Sequence, residues 1–134
     1  MRQCCVLLLV GVSMSACSYG TRIADFRPAY LPNGVVVRVN TSRGELNGEL
    51  IDMRETGFVI LTSANEKLRL IPFEQVRSAK FEKVGSLLGN GKTPTSAEHN
   101  RLRLLSRFPQ GMSPEVLETL LKTYGQTDLL GIER

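Results

Sequence analysis

The stretch VVVRVNT at residues 35–41 opens a segment whose apolar pattern decides the fold. It is rich in β-branched side chains and ends in polar alternation, and both features are typical of a β-strand. FVILT at residues 58–62 is apolar on both faces of a strand, and KLRLI at residues 67–71 alternates strictly. With further runs at residues 46–53 and 76–81, the pattern predicts five short strands within residues 33–83.

Five short strands at regular spacing favour a small antiparallel barrel over an open sheet. The segment resembles the SH3-like and Sm-like barrels at Gly44, in the bent run GEL at residues 48–50, at Leu61 and along residues 71–76. The resemblance implies a five-stranded barrel, and with the helices that follow the fold class is α+β. It is a likeness of fold and does not carry a function by itself.

The positions that Sm-like proteins use to bind RNA differ in this chain. They hold Arg54, residues 57–58 and residues 70–72, so the uridine pocket of that family is absent. Gly48 is expected to mark a bend or bulge in the second strand, and Gly57 a turn with positive φ. The predicted barrel core consists of apolar residues in the strands: Val37, Val39, Leu50, Val59, Leu61, Leu68, Leu70 and Val76.

The remainder of the chain predicts a linker at residues 84–96 and a helical hairpin at residues 97–131. Thr95 followed by Glu98 has the spacing of a capping box, and Ser113 before Pro114 is typical of a helix start. The second helix carries an apolar stripe, which predicts burial within the chain. The alternative is a docking surface for a protein partner, formed by Leu117, Leu120, Leu121 and Tyr124.

The beginning of the chain has the pattern of a secretory signal peptide over residues 1–16. Arg2 precedes an apolar run at residues 4–12, which is too short to cross a bilayer but suits the apolar region of a signal. Ser15 and Ala16 supply the small residues that a peptidase requires before the cleavage point. Residues 17–32 are then a membrane tether.

The run MSAC at residues 14–17 resembles the lipobox of bacterial lipoproteins, with Met14 where that family prefers leucine. The resemblance implies a diacylglycerol and an N-acyl group on Cys17, which anchor the protein in the cell envelope. Ser18 is not the inner-membrane retention residue, so the outer membrane is favoured in a Gram-negative host, with the domain facing the periplasm. The alternative is secretion with a free thiol.

Charge and chemistry point away from catalysis. The net charge of +4 is mild, and the basic bias along residues 77–107 indicates either a solvated face or a contact with anionic lipid. His99 is the only histidine and no second histidine or cysteine ligand accompanies it in the mature chain, so we expect no metal site. The sequence shows no nucleophile–base arrangement, so we expect no catalytic residues. No cofactor beyond the lipid, no nucleic acid and no small-molecule substrate is expected.

The sequence therefore predicts a non-enzymatic envelope lipoprotein that acts as a binding or assembly module with a protein partner. One alternative is a module that contacts peptidoglycan or glycan, for which Tyr30, Phe58, Phe73 and Phe81 are the candidate aromatic residues. A second alternative is Sm-like RNA binding in the cytoplasm, which requires residues 1–16 to remain uncleaved.

Overall fold

A computed structural model describes residues 33–131, which form seven strands and two α-helices. The strands run in the order β1 (Val36–Thr41), β2 (Gly44–Met53), β3 (Gly57–Thr62), β4 (Leu68–Pro72), β5 (Val76–Phe81), β6 (Gly85–Gly89) and β7 (Leu130–Gly131). A single 3₁₀ turn, Phe73–Gln75, joins β4 to β5. The helices are α1 (Ser96–Leu105) and α2 (Pro114–Thr123).

The seven strands form one open sheet, in the order β6-β5-β1-β2-β3-β4-β7. Neighbouring strands are antiparallel except for β4 and β7, which are parallel. The expected closed five-stranded barrel is therefore wrong. The physical reason is that β6 pairs with the outer edge of β5 and β7 with the outer edge of β4, so the two strands that would end the five-stranded sheet each carry a further strand.

The open sheet is nevertheless strongly curled. Phe58 on β3 and Phe81 on β5 lie three strands apart, which is about 14 Å in a flat sheet. Their ring centroids are 5.9 Å apart, and Phe58 also packs on Phe73 at 6.1 Å. Curling brings the inner faces of distant strands together into a first hydrophobic cluster. This cluster includes Val37, Val39, Leu50, Ile60, Ile71, Val76 and Leu88.

A second cluster lies on the other face of β2, β3 and β4. Its buried residues are Ile51, Val59, Leu68 and Leu121, and Leu61 and Leu70 are partly buried against them. The eight residues predicted to form one barrel core are thus divided between two faces of the sheet. Residues 58–62 are apolar on both faces because both faces of β3 are covered.

The two helices do not pack as the expected hairpin. Leu102 of α1 is buried in the first cluster, whereas Leu121 of α2 is buried in the second. The predicted helix starts are confirmed: Thr95 and Glu98 form a capping box, and the Ser113 side chain accepts a hydrogen bond from the Val116 amide. The two helices thus cover different parts of the sheet and do not pack against each other as a hairpin.

Three local expectations also needed correction. Residues 85–89 of the predicted linker form β6. The irregularity in β2 falls between Leu50 and Asp52 and not at Gly48. Gly57 does not have a positive φ; it is required because a Cβ there would lie 2.3 Å from the Ile71 carbonyl oxygen. Among residues 33–131, neither helix has the length and apolar character needed to span a membrane.

Candidate functional site

A half-open cavity lies where the β1–β2 turn faces the β4–β7 edge of the sheet. Its volume is about 380 Å³. We call it the turn groove and define it by Arg43, Gly44 and Leu46 on one side and by Arg69, Leu130 and Gly131 on the other. The groove is at the rim of the first cluster, because Leu46 packs against that cluster.

Strand alternation places Arg69 in the groove. Leu68 and Leu70 point to the second cluster beneath α2. Arg69 lies between them and must point to the opposite, inner face of the sheet. It is directly opposite Ile60, which is buried in the first cluster. Arg69 thus lies on a strand that is paired on both sides, and the residue is only partly exposed.

The turn between β1 and β2 positions Arg43. The Thr41 hydroxyl donates to the Gly44 carbonyl oxygen at 3.0 Å and accepts from the Arg43 amide at 3.2 Å. Gly44 has φ of +135°, which a residue with a Cβ rarely adopts. These contacts fix the turn on which Arg43 stands, while its side chain is exposed to solvent.

The groove has an excess of positive charge. Among the described residues that line it, Glu45 is the only acidic one, and its carboxylate is 3.3 Å from Arg38 Nε and also accepts from Asn47. Those two partners belong to the outer face of the sheet. Within residues 33–131, no carboxylate lies within ion-pair distance of Arg43 or Arg69. The groove therefore offers two guanidinium groups to an anion.

A second cavity of about 340 Å³ continues the turn groove past Arg69. It shares Glu45, Leu46 and Arg69 with the first cavity and is otherwise lined by Asn47 and by small and polar residues of the β3–β4 turn, residues 62–65. Arg69 and Leu46 therefore lie in the middle of one elongated depression. Such a shape suits an extended ligand better than a compact one.

The two long sides of the groove are strand segments with one unpaired edge each. Residues 44–46 of β2 pair with β1, whereas pairing of β2 with β3 begins at Gly48. On the opposite side, β7 pairs with β4 alone among the described strands. Backbone amides and carbonyls at such edges can bind an added strand.

The residues predicted to bind a partner through α2 lie on the second cluster. Leu121 is buried, and Leu117, Leu120 and Tyr124 are partly buried against the sheet. The candidate aromatic residues for a glycan platform are also inside the fold, since Phe58, Phe73 and Phe81 are all buried. Cys17 and Tyr30 lie outside the described residues.

The other ionisable groups near the core hold the fold together. Glu49 and Arg107 form a partly buried ion pair, and hydrogen bonding to Glu49 raises the pKa of the Arg107 guanidinium. His99 Nε2 lies 3.2 Å from the Arg54 carbonyl oxygen. In the described part of the chain, no three His, Cys, Asp or Glu side chains are grouped as metal ligands would be.

Sequence reasoning did not identify Arg43 and Arg69 as site residues. The strict alternation of residues 67–71 was the available signal, because it places Arg69 opposite the leucines. The pattern does not show where β7 lies, because β7 faces the β1–β2 turn only in the folded chain.

Comparison with known proteins adds no assignment: no protein family, curated protein or solved structure gives a match to this chain.

Proposed function

We propose that this protein is a non-enzymatic lipoprotein of the cell envelope, anchored through Cys17, and that it binds a partner in the turn groove. The observation that carries the binding role is the pair Arg43 and Arg69, which face one cavity without a carboxylate partner among residues 33–131. Arg69 is partly buried and so loses hydration, and an anionic ligand compensates that loss, while the exposed Arg43 adds a second positive charge.

The distribution of the other charged groups supports binding over catalysis. Glu49 and Arg107 neutralise each other, and His99 contacts a backbone carbonyl. A nucleophile with an adjacent base, the usual sign of covalent catalysis, is not found in the turn groove. The groove offers instead charge, backbone edges and an apolar wall at Leu46 and Leu130.

The anchor is proposed from the sequence. Residues 14–17 resemble a lipobox, and two or more acyl chains on Cys17 give stable membrane attachment. In the native host, labelled palmitate should enter the wild-type protein and should not enter Cys17→Ser. Equal labelling of the two proteins would show that Cys17 is not the lipid attachment site.

In-cell photo-crosslinking tests the binding role. A photo-reactive amino acid replaces Leu130, which lines the turn groove. In the control protein it replaces Glu118, which is exposed on α2. We expect a discrete adduct from position 130, identified by mass spectrometry, that is absent from position 118 and lost when Arg69→Gln is introduced. An adduct that forms equally at both positions, or that ignores Arg69→Gln, would remove the groove from the proposal.

A further inference from the structure

Resting on the proposed binding role, we propose that the ligand of the turn groove is an extended peptide segment that carries an acidic side chain. The peptide lies between residues 44–46 of β2 and β7, with its carboxylate at Arg43 and Arg69. Three independent features of the groove lead to this class of ligand.

The first feature is charge complementarity. A carboxylate matches the planar guanidinium group and can accept two parallel hydrogen bonds from it. Arg69 is held by its strand, whereas Arg43 is exposed on a turn and can approach a ligand from the solvent side. Glu45 lines the same groove with its carboxylate 3.3 Å from Arg38 Nε, so the described lining holds two guanidinium groups and one carboxylate.

The second feature is the pair of unpaired strand edges. An extended peptide added to a sheet edge gains main-chain hydrogen bonds, and its alternate side chains enter pockets on the sheet face. Residues 44–46 and β7 stand on opposite sides of the groove, so either edge can receive the peptide backbone. An isolated anion such as phosphate would use the guanidinium groups and leave both edges unpaired.

The third feature is the length and lining of the depression. The two adjoining cavities share Glu45, Leu46 and Arg69, so an apolar and a cationic side chain lie along one path beside one carboxylate. Gly131 adds open space, because a Cβ there would meet no atom within 4 Å. An extended chain with one acidic and one apolar side chain fits this order.

The test pans a library of short random peptides against the purified full chain in detergent micelles. Selected peptides are then titrated by calorimetry, each beside its analogue with glutamine or asparagine in place of the acid. Acetate and inorganic phosphate are titrated alone. Protein variants are Arg69→Gln and, as a control that removes the same charge, Arg101→Gln on the exposed side of α1.

We expect acidic residues to be enriched in the selected peptides. Loss of the peptide acid and Arg69→Gln should each weaken binding by at least about tenfold, since hydrogen bonds to charged groups are lost. Arg101→Gln should bind as the wild type does. Selected peptides without acids, binding that survives Arg69→Gln, or phosphate that binds as tightly as the peptides would each overturn the inference.

These outcomes separate the ligand class from the binding role. If the adduct at position 130 forms in cells and depends on Arg69 while no acidic peptide binds, the proposed function stands and the peptide inference fails. If no adduct forms, the binding role itself fails.

Discussion

Glu49 and Arg107 form a bidentate ion pair that ties three separate parts of the chain together. Arg107 Nε donates to Glu49 Oε1 at 2.8 Å, and a second nitrogen donates to Oε2. The same Oε1 accepts from the Gly34 amide at 2.6 Å, and the Arg107 amide donates to the Leu50 carbonyl oxygen at 3.0 Å. The pair thus joins β2 to the segment before β1 and to the connection between the two helices.

Removal of one partner should be costly because the other remains partly buried. The side chains of Arg107 and Glu49 are only 10% and 17% exposed. Arg107→Met should lower the free energy of unfolding by about 1–3 kcal/mol, since it leaves a partly buried carboxylate without its counter-ion. Urea unfolding measures the change.

The matched control is Arg38→Met, which breaks the exposed pair of Arg38 with Glu45. Exposed pairs contribute at most about 1 kcal/mol, so the control should be nearly silent. Similar losses for the two variants would mean that the Glu49–Arg107 pair is not the link between these parts of the chain.

The apolar side of α2 should behave as core. Leu121 is 7% exposed in the second cluster, whereas Leu104 on α1 is 66% exposed. Leu121→Asp should destabilise the protein by about 3–5 kcal/mol, because apolar contacts are lost and a charge enters an apolar site. Leu104→Asp makes the same chemical change in the other helix and should have little effect. Thermal unfolding of both variants checks this expectation; an unchanged melting temperature for Leu121→Asp would make the stripe an interface.

The backbones of β3 and β4 approach each other so closely at Gly57 that a side chain there is unfavourable. Its ideal Cβ would lie 2.3 Å from the Ile71 carbonyl oxygen on β4, and backbone atoms cannot give way as a flexible side chain does. Gly57→Ala should cost about 1–3 kcal/mol through forced separation of β3 and β4. Gly131→Ala is the control, since its Cβ would enter open space. Equal urea midpoints for the two variants would contradict the close approach.

Local signals in the sequence predicted the local structure well. The predicted run at residues 35–41 contains β1, which begins at Val36. Each of the strands β2 to β5 overlaps one of the other predicted runs. Thr95 and Ser113 cap the helices as expected. Strand periodicity and capping depend on residues within a few positions, so one sequence contains the required information.

The open edge-to-edge order of the sheet, with its two added strands, was not predictable in the same way. β6 is built from a Gly- and Ser-rich stretch that reads as a linker, and β7 has only two residues. Both are strands because a neighbouring strand offers an unpaired edge, which is a property of the folded chain. The turn groove depends on β7, so Arg43 and Arg69 could not be recognised as neighbours.

The carboxylate of Asp52 is held in an environment that disfavours its charge. Asp52 is 4% exposed, and its Oδ1 atom has no hydrogen-bond partner among the described residues. Burial raises the pKa of this carboxyl group, while Arg54, with Nε 3.4 Å from Oδ2, acts in the opposite direction and only partly offsets burial. The folded state therefore binds the Asp52 proton more tightly than the unfolded state does.

A raised pKa in the folded state has a defined sign for stability. As the pH rises from the ordinary aspartate pKa through the raised one, the unfolded state ionises first, and the contribution of Asp52 to stability falls. Asp52→Asn removes this loss and should stabilise the protein at neutral pH by about 1 kcal/mol. The advantage should shrink in acid, where Asp52 is protonated in both states. Urea unfolding between acid and neutral pH measures the difference in free energy of unfolding between the wild type and the variant. A difference that does not change with pH, or a variant that is less stable at neutral pH, would show that Arg54 compensates the buried charge fully.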